Sequence, residues 1–156
     1  MLCIREATLQ DLEVLHKLQL ELAKYESKLD KNLKNPLKIK EQYYKYYKKK
    51  FQNKNCRFLV AEEDTRVIGY ILGWIERLPG IYKHEKRGYV ADVFVVKDKR
   101  GKGVGRKLLE ELLKWFKSQK VEWIRLSVYS ANVNAVKVWK KLGFKDYVIE
   151  MVMKLK

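Results

Sequence analysis

Three glycines at alternate positions in Arg100-Gly101-Lys102-Gly103-Val104-Gly105 separate a β-branched run from an amphipathic stretch. Without a Cβ at those positions, backbone N–H groups can converge on one ligand. The residues that follow have helical spacing, so the loop opens a helix, where unpaired N–H groups and the helix dipole favour an anion. Arg100, Lys102 and Arg106 add positive charge around it. This chemistry suits a pyrophosphate. The Walker pattern GxxxxGK[ST] is not supplied from Gly101 onward, and the dinucleotide fingerprint GxGxxG would need glycine where Arg106 stands. A glycine-rich turn that only starts a helix would use the same residues.

The elements that must position this loop follow from periodicity. Leu2 to Arg5 reads as an edge strand. Thr8 and Asp11 form a weak capping box before an amphipathic helix over about 9–26, with Leu12, Leu15, Leu18, Leu22 and Tyr25 on its stripe. Asn35-Pro36 breaks the chain, and a second helix over 37–52 puts Ile39, Tyr43, Tyr47 and Phe51 on one face. Residues 57–62 and 66–76 read as a hairpin turning at Glu63-Asp64-Thr65. A strand over 87–96 has Val90, Asp92, Phe94 and Val96 facing one way. After the glycine loop comes a helix with Val104, Leu108, Leu112 and Trp115 on its stripe and a Glu110–Lys114 pair outside. Trp123 to Tyr129 alternates as a strand, 133–142 is a helix ending at Gly143, and Phe144 to Leu155 supplies the closing strand or strands. The order β-α-α-β-β-β-α-β-α-β, with a parallel crossover over 87–129, predicts an α/β (α+β) single domain over 1–156. Its mixed central sheet is flanked by helices.

A chain of 156 residues, 47% hydrophobic and 35% charged, has the composition of a globular domain. No apolar run reaches the roughly 18 residues of a membrane span, and acids interrupt the N-terminal stretch where a signal peptide would be apolar. The expected place is the cytosol, with Cys3 and Cys56 reduced and buried and no metal site. The net charge of +16 favours anionic ligands, and half of it lies between Lys28 and Lys54, where ten lysines face only Asp30 and Glu41. Tyr43, Tyr44, Tyr46 and Tyr47 among those lysines raise a nucleic-acid-binding reading, but their helical spacing favours a core or lid.

VADVFVVKDKRGKGVGRKLL resembles the acetyl-CoA motif of the GNAT (Gcn5-related N-acetyltransferase) superfamily, [RQ]xxGx[GA] after a strand, filled by Arg100, Gly103 and Gly105. SANVNAVKVWKKLGF is similar to the family segment NxxAxxxYxxxGF, matched at Asn132, Ala135, Gly143 and Phe144. IREATLQDLEVL looks like the usual first strand and helix, and ELAKYE is close to a stretch of diamine acetyltransferases. The resemblance covers nearly the whole chain, with 28–56 the least typical part.

The resemblance implies a GNAT-like fold and transfer of acetyl from acetyl-CoA to a primary amine, be it a small amine, a polyamine-like molecule or a peptide. Dimers are common in the family. Val93, Phe94 and Val95 would hold the donor through main-chain groups. Arg100, Gly101, Lys102, Gly103, Val104, Gly105 and Arg106 would take the pyrophosphate, with Asn132, Ala135 and Trp139 on the far side. An alkyl ammonium, with a pKa near about 10.4, must lose a proton before attack. Asp92 is the first candidate base, with Glu76, His84 and Glu85 as alternatives. Trp139 stands where the family places a tyrosine that protonates the leaving thiolate, and an indole N–H is no acid near neutral pH. Tyr129 on the adjacent strand is the candidate replacement; unaided departure of the thiolate and binding without turnover stay open.

Overall fold

The computed structural model describes residues 1–156. Its frame is an antiparallel meander, each strand paired with the next in sequence: β1 (Leu2–Glu6), β2 (Cys56–Glu63), β3 (Arg66–Arg77) and β4 (Lys86–Val95). Asp64 and Thr65, both at positive φ, make the two-residue turn that closes the β2–β3 hairpin, in the twist such hairpins favour. Between β1 and β2 the chain forms α1 (Leu12–Leu29) and α2 (Lys40–Phe51). After β4 come α3 (Val104–Ser118), β5 (Ile124–Leu126) and α4 (Val133–Lys141). β5 pairs parallel to β4 across α3, so the sheet is mixed, in the order β1-β2-β3-β4-β5.

Alternation along β2 fills both faces of this sheet. Leu59 and Ala61 meet α3 through Leu108, Leu112 and Phe116, while Phe58 and Val60 meet α1 and α2 through Leu15 and Tyr47. α3 packs close because Gly88 lies under it: a Cβ there would come within 2.9 Å of the Phe116 ring. On α1 the buried stripe runs through Leu12, Leu15, Gln19 and Ala23, which leaves Tyr25 exposed. The expected stripe through Leu22 and Tyr25 therefore turns about one position, and Glu26 is brought inward.

The capping box forms between Thr8 and Asp11. The Arg5 guanidinium grips both Asp11 oxygens at 2.8 and 2.9 Å, and with the Thr8 N–H it holds the carboxyl down to about 2. A depressed carboxylate stabilises the fold above its unfolded pKa and loses that contribution as pH falls through the folded value. Asp11→Asn is thus expected to cost on the order of 2 kcal/mol at pH 6. The gap to wild type should close between about pH 4 and pH 2 in urea titrations across pH.

Four local expectations are corrected. The Glu110–Lys114 pair does not form; Glu110 takes Arg106 at 2.8 Å and Lys114 takes Glu111 at 2.6 Å. Cys3 is exposed and Cys56 only half-buried, because Cys3 lies on an edge strand. β5 covers only Ile124–Leu126 of the strand expected over 123–129. No strand forms over 144–155: α4 ends in a Schellman motif, with the Phe144 N–H donating to the Trp139 carbonyl, the Gly143 N–H to that of Lys140, and Gly143 at φ +98. That motif and a Lys140–Asp146 ion pair direct the following residues off the domain.

Candidate active site

The sheet opens where the glycine loop follows it. β4 pairs with β5 only over Gly88–Val90, yet continues to Val95 against β3. The cause is a bulge: Leu72 pairs with Asp92 and Gly73 with Val90, so Ala91 is an extra residue in β4. A bulge bends its strand and re-aims the side chains beyond it. Here it turns the end of β4 from β5, and residues 91–95 have no strand partner on that side. It also corrects the expected alternation. Val90 belongs to the α3 side, whereas Asp92 bonds to Tyr47 on the α1/α2 side. Val93 and Val95 then pack towards α3 and Phe94 towards α1/α2.

The wedge leads into the glycine loop. Gly101 and Gly103 take φ of +75 and +79, and Gly103 is the N-cap of α3 with no side chain bonded to the helix end. The first-turn amides of Val104, Gly105 and Arg106 point out of the helix, and no acid lies in that turn. Arg100 is partly spoken for: its Nε donates to the Val95 carbonyl at 2.7 Å and its guanidinium lies 5.3 Å from the Phe94 ring. It ties the loop to the end of β4, and that carbonyl is engaged. Arg106 is held by Glu110, whereas Lys102 is exposed and has no ion pair.

Across the wedge, Asn132 caps α4, its side-chain oxygen accepting from the Ala135 N–H at 3.2 Å, which leaves its NH2 group to donate. Trp139 is half-buried edge-on to Phe144 at 5.4 Å, the apolar contact of the Schellman motif. Its ring is thus occupied by helix termination.

Asp92 lies in a buried network of tyrosines. It accepts a short hydrogen bond from Tyr47, whose hydroxyl lies 2.8 Å from that of Tyr70. Burial raises its pKa and the Tyr47 bond opposes that shift. Tyr47 and Tyr70 are themselves pushed well above the ordinary phenol range by burial. Near this half-buried carboxylate stands Glu26, on the inward stripe of α1. Burial, with the charge of Asp92 added, lifts its carboxyl to about 7. Tyr129, beyond the end of β5, donates to Asp30 at 3.3 Å; burial and the Asp30 charge raise its pKa. The two expected catalytic residues, Asp92 and Tyr129, thus flank a third group. Glu26 was not among the expected bases, and of the two buried tyrosines only Tyr47 stood in the cluster whose spacing favoured a core or lid.

The other candidate bases are committed or remote. Glu76 is gripped by Arg87 at 3.2 Å and Arg125 at 3.0 Å. His84 stacks on Trp123 at 5.7 Å, and Glu85 is exposed. Of the four clustered tyrosines, Tyr47 is buried, Tyr43 and Tyr44 are half-buried, and only Tyr46 is exposed; the lysines among them point to solvent, except Lys50, which lies 3.7 Å from the Trp74 ring. No group of three or more His, Cys, Asp or Glu side chains is placed to hold a metal ion, and no helix is long and apolar enough to cross a membrane.

The acetyltransferase (GNAT) family matches residues 21–144. An N-alpha-acetyltransferase of Sulfurisphaera tokodaii is 33% identical over 121 residues, 72% of this chain and 71% of that protein. An N-alpha-acetyltransferase of Saccharolobus solfataricus is 32% identical over 120 residues, covering 71% of this chain and 70% of the relative. A predicted acetyltransferase of Clostridium acetobutylicum, solved with acetyl-CoA, superposes with a TM-score of 0.77 over 99% of this chain and 96% of its own, at 20% identity. The bulged β4, the wedge against β5 and the glycine loop after it are thus set in a chain that belongs to the acetyltransferase (GNAT) family.

Proposed function

We propose that this chain transfers the acetyl group of acetyl-CoA to the α-amino group at a peptide N-terminus, with Glu26 as the base. The observation that carries the reading is Glu26 of α1, whose carboxyl is lifted to about 7 by burial and by the charge of Asp92. A base of that strength suits an α-ammonium, whose ordinary pKa of about 8 leaves roughly 1.4 kcal/mol to supply. A lysine ε-ammonium at about 10.4 would need roughly 4.6 kcal/mol. The relatives named as N-alpha-acetyltransferases support the same acceptor.

On this reading the amides at Gly103–Arg106 bind the pyrophosphate, with Lys102 supplying unpaired charge, and the open main chain of 91–95 lines the rest of the donor. Asn132 turns its free NH2 group to the donor from the other side. Glu26 takes the proton of the α-ammonium, the neutral nitrogen then bonds to the acetyl carbon, and the second nitrogen proton passes to solvent as the amide forms. Asp92, engaged by Tyr47, keeps Glu26 basic. As the carbon–sulfur bond breaks, the departing sulfur takes a proton from Tyr129, whose hydroxyl turns from Asp30 to give it and regains it from solvent. Tyr129→Phe is expected to lower kcat about tenfold and leave KM for the peptide unchanged in steady-state assays.

The acceptor is tested with one peptide carrying both a free N-terminus and an internal lysine, its acetylated site read by tandem mass spectrometry. Acetylation at the N-terminus at least about a hundredfold faster than at lysine is expected. Equal rates, or a preference for lysine, would overturn the α-amine assignment.

A further inference from the structure

On the α1/α2 side of the sheet, strand register sets Trp74 of β3, Tyr89 of β4 and Arg125 of β5 side by side. The Trp74 and Tyr89 rings lie 4.9 Å apart, and the Arg125 guanidinium stands 4.6 Å from the Tyr89 ring. At the other end of the row, the Lys50 ammonium of α2 lies 3.7 Å from the Trp74 ring and 5.2 Å from that of Tyr46. Tyr70 and Leu72 are buried under α1 and α2, whereas Trp74, Tyr89 and Arg125 beyond them are only half-buried. The row is a shelf with an aromatic floor and a cation at each end.

Its charges do not balance. Lys50 is half-buried and makes no ion pair. At the far end, Arg87 and Arg125 share the carboxylate of Glu76, at 3.2 and 3.0 Å. Three cations thus stand against one acid. An ammonium drawn partly out of water without a counter-charge is costly, and an aromatic face offsets only part of that cost. An anion laid along the shelf neutralises it, whereas a cationic ligand meets like charge at both ends.

The shelf begins close to the proposed base. Leu72 pairs with Asp92, and Trp74 lies two residues further along β3, roughly 7 Å away. Two residues of an extended peptide span the same distance. The charge of Asp92 acts on Glu26 and that of Lys50 acts on Asp92, so base and shelf adjoin the same carboxylate.

We propose that Lys50, with Arg125 at the far end, selects acceptor peptides bearing an acidic side chain at their second or third residue, its carboxylate held against the Lys50 ammonium over the Trp74–Tyr89 floor. This rests on the α-amine reading above and adds the sequence that the site prefers. The lysines of 28–54 extend the same field into solvent, which speeds capture of such a peptide.

The test uses three peptides with a common tail and an N-terminal alanine, followed by two glutamates, two glutamines or two arginines. Acetylation of the α-nitrogen is followed at low ionic strength. The glutamate peptide is expected to show a kcat/KM about tenfold or more above that of the glutamine peptide, carried by KM, with the arginine peptide below both. Lys50→Gln should lower the glutamate-to-glutamine ratio several-fold, and Lys50→Glu should place arginine above glutamate. Each ratio is taken within one protein, so a partly unfolded variant lowers all its rates alike. Equal rates on the glutamate and glutamine peptides, or a glutamate preference that survives both variants, would overturn this proposal and leave the α-amine reading standing. No α-acetylation of any of the three would overturn both.

Discussion

Gly103→Val is expected to weaken acetyl-CoA binding by about a hundredfold, or roughly 2.7 kcal/mol, with little loss of fold stability. Gly103 sits at φ +79 as the N-cap of α3, a conformation in which a β-branched residue is strained by a few kcal/mol. Relieving that strain rotates the peptide units that aim the first amides of α3 at a single anion. Nothing packs on Gly103, since a Cβ there meets no atom within 4 Å, so the loop can move without disturbing the core. Gly105→Ala is the contrast. Its added Cβ would lie 3.8 Å from a Val95 methyl, an ordinary contact, and its φ is not positive, so the fold should tolerate it. Isothermal titration with acetyl-CoA, alongside thermal unfolding without ligand, separates the two variants.

Glu26→Gln is expected to lower kcat/KM for a peptide amine by about a hundred- to a thousandfold, the range for loss of a positioned base. The wild-type profile should rise with pH through an apparent pKa near 7 in kcat/KM, and that limb should vanish in the variant. The same substitution has the opposite effect on stability. A carboxyl whose folded pKa lies above its unfolded value stabilises the fold while protonated, and the folded state loses ground as pH rises from about 4.5 to about 7. Above pH 7 the variant should therefore be the more stable protein, by about 1–2 kcal/mol after allowance for residual solvent at a half-buried group. Loss of rate with gain of stability marks a group kept in a costly setting for chemistry. A side chain that only filled space would not produce that pairing.

The glycine loop and the helix it opens were legible because their determinants are local. The glycines of 101–105, the strand before them and the helix after them are contiguous, and each has a strong propensity or spacing signal. Asn132, Ala135 and Gly143-Phe144 added a second contiguous pattern. The proposed acceptor side draws on α1, α2, β3 and β4, and the inward place of Glu26 depends on how far the buried stripe of α1 turns. The Ala91 bulge is equally silent in sequence: one extra residue reverses the faces of Val90 and Asp92 without altering the period-two pattern on either side. Trp139 shows the opposite limit, because its family position suggested the donor while the Schellman turn gives it a packing partner in Phe144.

The central claim is direct acetyl transfer to an amine, and it is tested by following thiol release from acetyl-CoA with and without a peptide bearing a free N-terminus. Thiol release that requires the peptide and matches, mole for mole, the peptide acetylated on its α-nitrogen is the predicted result. Thiol release that does not depend on the amine, or none at all from a protein that binds acetyl-CoA, would contradict the account.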